Sequence, residues 1–142
     1  MIKILFVCHG NICRSPMAQY VFQDMVNKAG VSHKFQIDSR ATSREELGNP
    51  VYPPARRELN SHGIRCDGHC ARQITRKDLD AYDYIYYMDS SNLRRLQNMF
   101  PGERKFRPFL SRDVADPWYT GNFIQTWKDI CEGCERIMKE LA

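Results

Sequence analysis

Residues 7–18 read VCHGNICRSPMA and place a cysteine, Cys8, six positions ahead of an arginine, Arg14. An ionised thiol is a strong nucleophile, and a guanidinium offers a planar fork of donors that matches two phosphate oxygens. Between them lie His9, Gly10, Asn11, Ile12 and Cys13. Gly10 and Asn11 tolerate positive φ, so this stretch predicts a tight loop. Ser15-Pro16 then predicts a helix start, with Ser15 as N-cap and Pro16 as the first helical residue. The unpaired amides of a helix N-terminus, joined by loop amides aimed at the same point, make an anion site. The same field favours a thiolate at Cys8 below the free value near ~8.5. A thiolate facing a bound phosphorus is a nucleophile held in line. The alternative reading, a buried strand-end thiol followed by a surface arginine, leaves the agreement of turn and helix start unexplained.

The surrounding elements must deliver this loop to the surface. Residues 2–7 are a nearly continuous apolar run that predicts a buried parallel strand ending at Cys8. Met17, Tyr20, Val21, Met25 and Val26 then recur at helical spacing until Gly30. Residues 35–39 read as a second strand. Gly48, Pro50, Pro53 and Pro54 mark residues 40–54 as a long loop. Helices are expected over 55–62, over a short stretch capped by Thr75, and from Ser90 or Ser91 to about Met99. Residues 82–88 and 106–110 read as further strands, the last an edge strand because of Pro108. An apolar stripe from Phe123 to Leu141 predicts a core-facing terminal helix. This alternation predicts an α/β fold, a doubly wound parallel sheet flanked by helices, with functional loops at the carboxyl ends of the strands.

Composition bounds the rest. The chain has 142 residues, which suits one domain over 1–142. The formal net charge of +4 favours anionic substrates but is too small to argue for nucleic acid. Nothing resembles a signal peptide or a membrane span, so a cytoplasmic protein with mostly reduced thiols is expected, and no membrane partner. Cys131 and Cys134 have a zinc-like spacing that Cys66 or Cys70 would complete, yet they fall on the apolar face of the terminal helix, where packing is the better account.

The stretch VCHGNICRSPMA resembles the signature of the low molecular weight protein tyrosine phosphatases. The resemblance extends to DSRATS at 38–43, HCARQI at 69–74, DYIYYMDSSNL at 83–93 and DPWYTG at 116–121. It implies a four-stranded parallel sheet and hydrolysis of phosphate monoesters through a phosphocysteine, with no metal or other cofactor. It further implies Cys8 as nucleophile, Arg14 as phosphate and transition-state binder, Asp116 as general acid and base, and Ser15 as a hydroxyl supporting the thiolate. Asp113 is the fallback acid. Asn11, Ser39 and His69 match a buried set that holds the loop in shape. In the family the position of Cys13 can form a reversible disulfide with the catalytic cysteine, protecting it from over-oxidation.

The implied substrate is a phosphotyrosine-containing protein or a small aryl phosphate. Inorganic phosphate and other oxyanions would inhibit, and the expected assembly is a monomer or weak dimer. Ile12 stands where related protein-arginine phosphatases carry threonine, and Trp118 and Tyr119 offer an aromatic wall for an aryl ring. Glu45 departs from the aromatic residue of eukaryotic-type members, and His9 from their leucine. A carboxylate at 45 would repel acidic phosphopeptides or accept a basic neighbour. Arsenate reductases of the same fold are the rival enzymes, and would need Cys66 and Cys70 as a relay. A binding module without catalysis would have no use for both Cys8 and Asp116.

Overall fold

The computed structural model describes residues 1–142. Its element order is β1 (Ile2–Cys8), α1 (Arg14–Lys28), β2 (Phe35–Ala41), α2 (Pro53–Ser61), α3 (Arg76–Ala81), β3 (Tyr84–Tyr87), α4 (Ser90–Met99), β4 (Phe106–Pro108), α5 (Pro117–Thr120) and α6 (Phe123–Leu141). A 3-10 turn over Ser32–Lys34 leads into β2. The four strands form one parallel sheet in the order β2-β1-β3-β4. The chain leaves β1 toward one edge and later returns to its other side. That makes the carboxyl end of β1 the point where the strand order reverses, the place where such sheets bind ligands.

β1 is central and is fully buried from Ile4 to Val7. Its side chains alternate between two packing layers, as strand geometry requires. Ile4, Phe6 and Cys8 join a cluster with Met17, Val21 and Phe22 of α1, Ala55 and Leu59 of α2, and Ile130, Cys134 and Ile137 of α6. Leu5 and Val7 join a second cluster with Leu79 of α3 and Leu96 of α4. Cys134 is thus core, as its place on the apolar stripe predicts. Gly133 explains how closely α6 approaches: a Cβ there would stand 2.2 Å from a ring carbon of Phe109. Phe109 in turn packs edge-on against Phe6 of the sheet.

Several sequence expectations shift. The first helix begins at Arg14, with Cys13 in the N-cap position, so Ser15 lies inside the helix rather than capping it. Asp89, not Ser90 or Ser91, caps α4 through its bond from the Asn92 amide. Gly10 does not use positive φ, and Asn11 alone turns the loop, with φ 61°. The edge strand stops at Pro108, and the short helix α5 went unpredicted. Tyr86 is buried while Tyr87 is half-buried.

Candidate active site

The loop from Cys8 to Arg14 leaves the end of β1, beside Ala41 of β2. It forms the floor of a cleft of about 110 Å³ lined by Cys8, His9, Gly10, Ile12, Cys13, Arg14, Glu45, Glu46, Asp116, Trp118 and Tyr119. The sequence places these residues in three separate segments, and the fold brings them together. Ser15 is freed from capping and serves the sulfur: its Oγ is 3.0 Å and its amide nitrogen 3.4 Å from Cys8 Sγ. Both are hydrogen-bond donors to a thiolate.

Behind the loop, Asn11 is fully buried and bonded on every side. Its Nδ2 donates to Ser15 Oγ at 2.8 Å and to Ser39 Oγ at 2.9 Å. Its Oδ1 accepts from the Arg72 amide at 3.1 Å, and its carbonyl from His69 Nε2 at 2.7 Å. Ser39 Oγ donates in turn to Gln19 Oε1 at 2.6 Å, a partner that sequence reasoning missed. Two acceptors and two donors fixed in this way hold a non-glycine residue in the left-handed region, where the backbone alone would not rest.

The carbonyl partner makes Nε2 the protonated nitrogen of His69. Burial pushes its pKa below the ordinary 6.5, although the bond to Asn11 pulls the other way. Neutral imidazole is therefore the folded form. Below about pH 6.5 the unfolded chain takes up a proton that the folded chain resists, so stability falls until the folded-state pKa is passed. Urea unfolding midpoints measured from pH 7.5 to 5 should decline with a His69 component. His69→Gln should be less stable by about 1 kcal/mol at pH 7.5 and show a flatter slope. Parallel slopes for the two proteins would rule this account out.

Arg14 is 2% exposed, an unusual place for a cation. Its Nη1 donates to Asp89 Oδ2 at 2.7 Å and to the Val114 carbonyl at 2.8 Å, and its Nη2 donates to Asp116 Oδ2 at 3.3 Å. Burial alone would disfavour its charge, but Cys8, Asp116 and Asp89 outweigh that and raise its pKa further. Asp89, absent from the sequence-level site, is the residue that aims the guanidinium. Its Oδ1 is spent on capping α4 while its Oδ2 holds Arg14.

Asp116 reaches the cleft from the turn before α5. Its Oδ1 accepts from the Trp118 amide at 3.0 Å, capping that helix, and its Oδ2 faces Arg14. Asp113, the fallback, points elsewhere and accepts from the amide and hydroxyl of Ser90. Trp118 packs on Tyr52 with ring centroids 4.8 Å apart, and Tyr119 projects from the cleft at 84% exposure. Glu45 takes a basic neighbour, one of the two outcomes expected of a carboxylate there: it lies 2.9 Å from His9 Nε2, at the mouth. Cys66 and Cys70 do not line this cleft, and no three His, Cys, Asp or Glu side chains are arranged to hold a metal ion.

The arrangement, a thiol at a helix N-terminus beside a buried arginine and a carboxylate, suits transfer of an anionic phosphoryl group. Comparison with known proteins agrees. The family model for low molecular weight phosphotyrosine protein phosphatase matches residues 3–142. The low molecular weight protein-tyrosine-phosphatase YfkJ of Bacillus subtilis is 39% identical over 150 residues, covering 99% of this chain and 96% of that protein. The crystal structure of YfkJ superposes with a TM-score of 0.95, covering 99% of this chain and 94% of that one. A low molecular weight phosphotyrosine protein phosphatase of Pongo abelii is 50% identical over 151 residues, covering 99% and 95% of the two chains. The structure of the Drosophila arginine phosphatase is also similar, with a TM-score of 0.88 at 30% identity, covering 98% of this chain and 97% of that one. With the loop, the sheet order and the matched span in accord, the chain belongs to the low molecular weight phosphotyrosine protein phosphatase family.

Proposed function

We propose that this family member hydrolyses phosphotyrosine and related aryl phosphates through a covalent phosphocysteine. One observation carries the reading: a single sulfur, Cys8 Sγ, sits within hydrogen-bond reach of Ser15 Oγ and the Ser15 amide, at the floor of a cleft that also holds Arg14 and Asp116. The other loop thiol does not compete. Burial and the negative groups of Cys8 and Asp116 push the Cys13 thiol up, so it stays protonated.

In the first step Sγ attacks phosphorus, an S–P bond forms, and the P–O bond to the ring breaks. Asp116 passes a proton to the departing phenolic oxygen. The loop amides and Arg14 hold the equatorial oxygens, where charge builds in the transition state. In the second step water attacks phosphorus and gives its proton to the Asp116 carboxylate. The S–P bond breaks, the thiolate returns and inorganic phosphate leaves. Phosphate and other oxyanions should then compete for the same loop. Asn11, Ser39 and His69 keep the loop in shape and touch no reacting atom. Ile12 and the rings of Trp118 and Tyr119 offer apolar contact to the substrate ring, worth about 0.5–1.5 kcal/mol for an aromatic pair.

The whole chain is taken as one phosphatase domain. No helix is long and apolar enough to cross a membrane. The six free thiols are in keeping with a reducing, cytoplasmic setting. Matched phosphotyrosyl, phosphoseryl and phosphoarginyl peptides, assayed with a chelator present, test the assignment. Turnover of the phosphotyrosyl peptide should dominate and resist chelation. Faster release from the phosphoarginyl peptide would instead place the chain with arginine phosphatases.

A further inference from the structure

The cleft mouth carries an unbalanced charge. Apart from Arg14, no lysine or arginine lines it, and Arg14 is already engaged by Asp89 and Asp116. Two carboxylates, Glu45 and Glu46, do line it. They are held in place rather than trailing in solvent. Ser43 Oγ donates to the His9 carbonyl at 2.9 Å and tethers this segment to the phosphate loop. Glu45 Oε2 is 2.9 Å from His9 Nε2, and Glu46 Oε2 accepts from Asn49 Nδ2 at 2.6 Å. Each carboxylate thereby keeps one oxygen free of protein partners. The Glu45 side chain is 66% exposed and so remains accessible to a substrate group.

We infer that Glu45, positioned by His9 and seconded by Glu46, makes the enzyme select aryl phosphates that carry a cationic group beside the ring, in peptides a lysine or arginine flanking the phosphotyrosine. The phosphate dianion itself is accommodated by the loop amides and Arg14. A second negative charge, on a flanking aspartate or glutamate, would face two carboxylates and, within the cleft lining, no lysine or arginine besides Arg14. A flanking ammonium or guanidinium, on its flexible stem, can reach the open oxygens while the ring stays between Ile12 and Trp118. An apolar wall at this position would be indifferent to that charge. The inference rests on the phosphotyrosine reading above and adds the class of substrate.

The test uses three phosphotyrosyl peptides that differ only in flanking residues, neutral, lysine or aspartate, at low ionic strength. Wild type should show a lysine-over-aspartate ratio in kcat/KM of about tenfold. Glu45→Gln, whose amide oxygen can still accept from His9, should cut that ratio to about two- or threefold, and Glu45→Gln with Glu46→Gln should bring it near one. About 0.5 M salt should flatten the wild-type ratio in the same way, since rim charges are screened there. An unchanged ratio in Glu45→Gln, or a preference for the aspartate peptide, overturns the inference. Turnover of the neutral peptide reports separately on the phosphatase reading, so the two fail independently.

Discussion

Cys8→Ser should lower turnover of p-nitrophenyl phosphate by about 10⁴-fold or more, the scale seen when a catalytic nucleophile is removed. The serine hydroxyl is similar in shape but is not ionised near neutrality, so the attack on phosphorus is lost. The anion site should survive, because loop amides and Arg14 supply it and Arg14 is fixed by Asp89 and the Val114 carbonyl rather than by the sulfur. The variant should therefore still bind phosphate or tungstate, measurable by calorimetry. Rapid quench of the wild type into alkaline denaturant, where an S–P monoester persists, should trap a phosphate-labelled adduct that maps to Cys8. Residual activity within a hundredfold of wild type, or no adduct, would remove the covalent mechanism.

Asp116→Asn should produce the next largest effect. Proton delivery to a leaving oxygen is worth roughly 10²–10⁴-fold. The full loss should appear with phenyl phosphate, whose phenolate leaves poorly. It should be smaller with p-nitrophenyl phosphate, whose leaving group needs less help. That dependence separates proton transfer from simple misfolding, since asparagine keeps an oxygen to cap α5 from the Trp118 amide. Asp113→Asn should behave as wild type in the same assay, because its carboxylate is turned to Ser90. An equal loss with both esters would take the general-acid role from Asp116.

The local part of the site was legible because its logic is local. Strand, loop, thiol, arginine and helix start follow one another within residues 2–16, and each residue type has one dominant conformational meaning. Parallel topology followed from the same alternation. What stayed hidden depends on partners far along the chain. Asp89 meets Arg14 across 75 residues, and nothing near Asp89 says that one oxygen caps a helix while the other holds a guanidinium. Ser15 read both as a cap, from Ser-Pro, and, through the resemblance, as a support for the thiolate; the cap position falls to Cys13, while the Ser15 hydroxyl lies 3.0 Å from Cys8 Sγ. The resemblance to the family supplied Asn11, Ser39 and His69, but not Gln19, which completes their chain of bonds. The pairing of His9 with Glu45 joins two departures from the family pattern, and neither position alone announces it.

Asn11 draws its partners from Ser15, Ser39, His69 and Arg72, at separations of 4, 28, 58 and 61 residues. Closing such long loops costs entropy that only the finished molecule repays. An excised peptide spanning the first strand and helix would hold both the cysteine and the arginine, yet lack the cradle between them. Catalytic competence is therefore a late-arriving property of the folding reaction, gained when the middle of the chain docks behind its beginning.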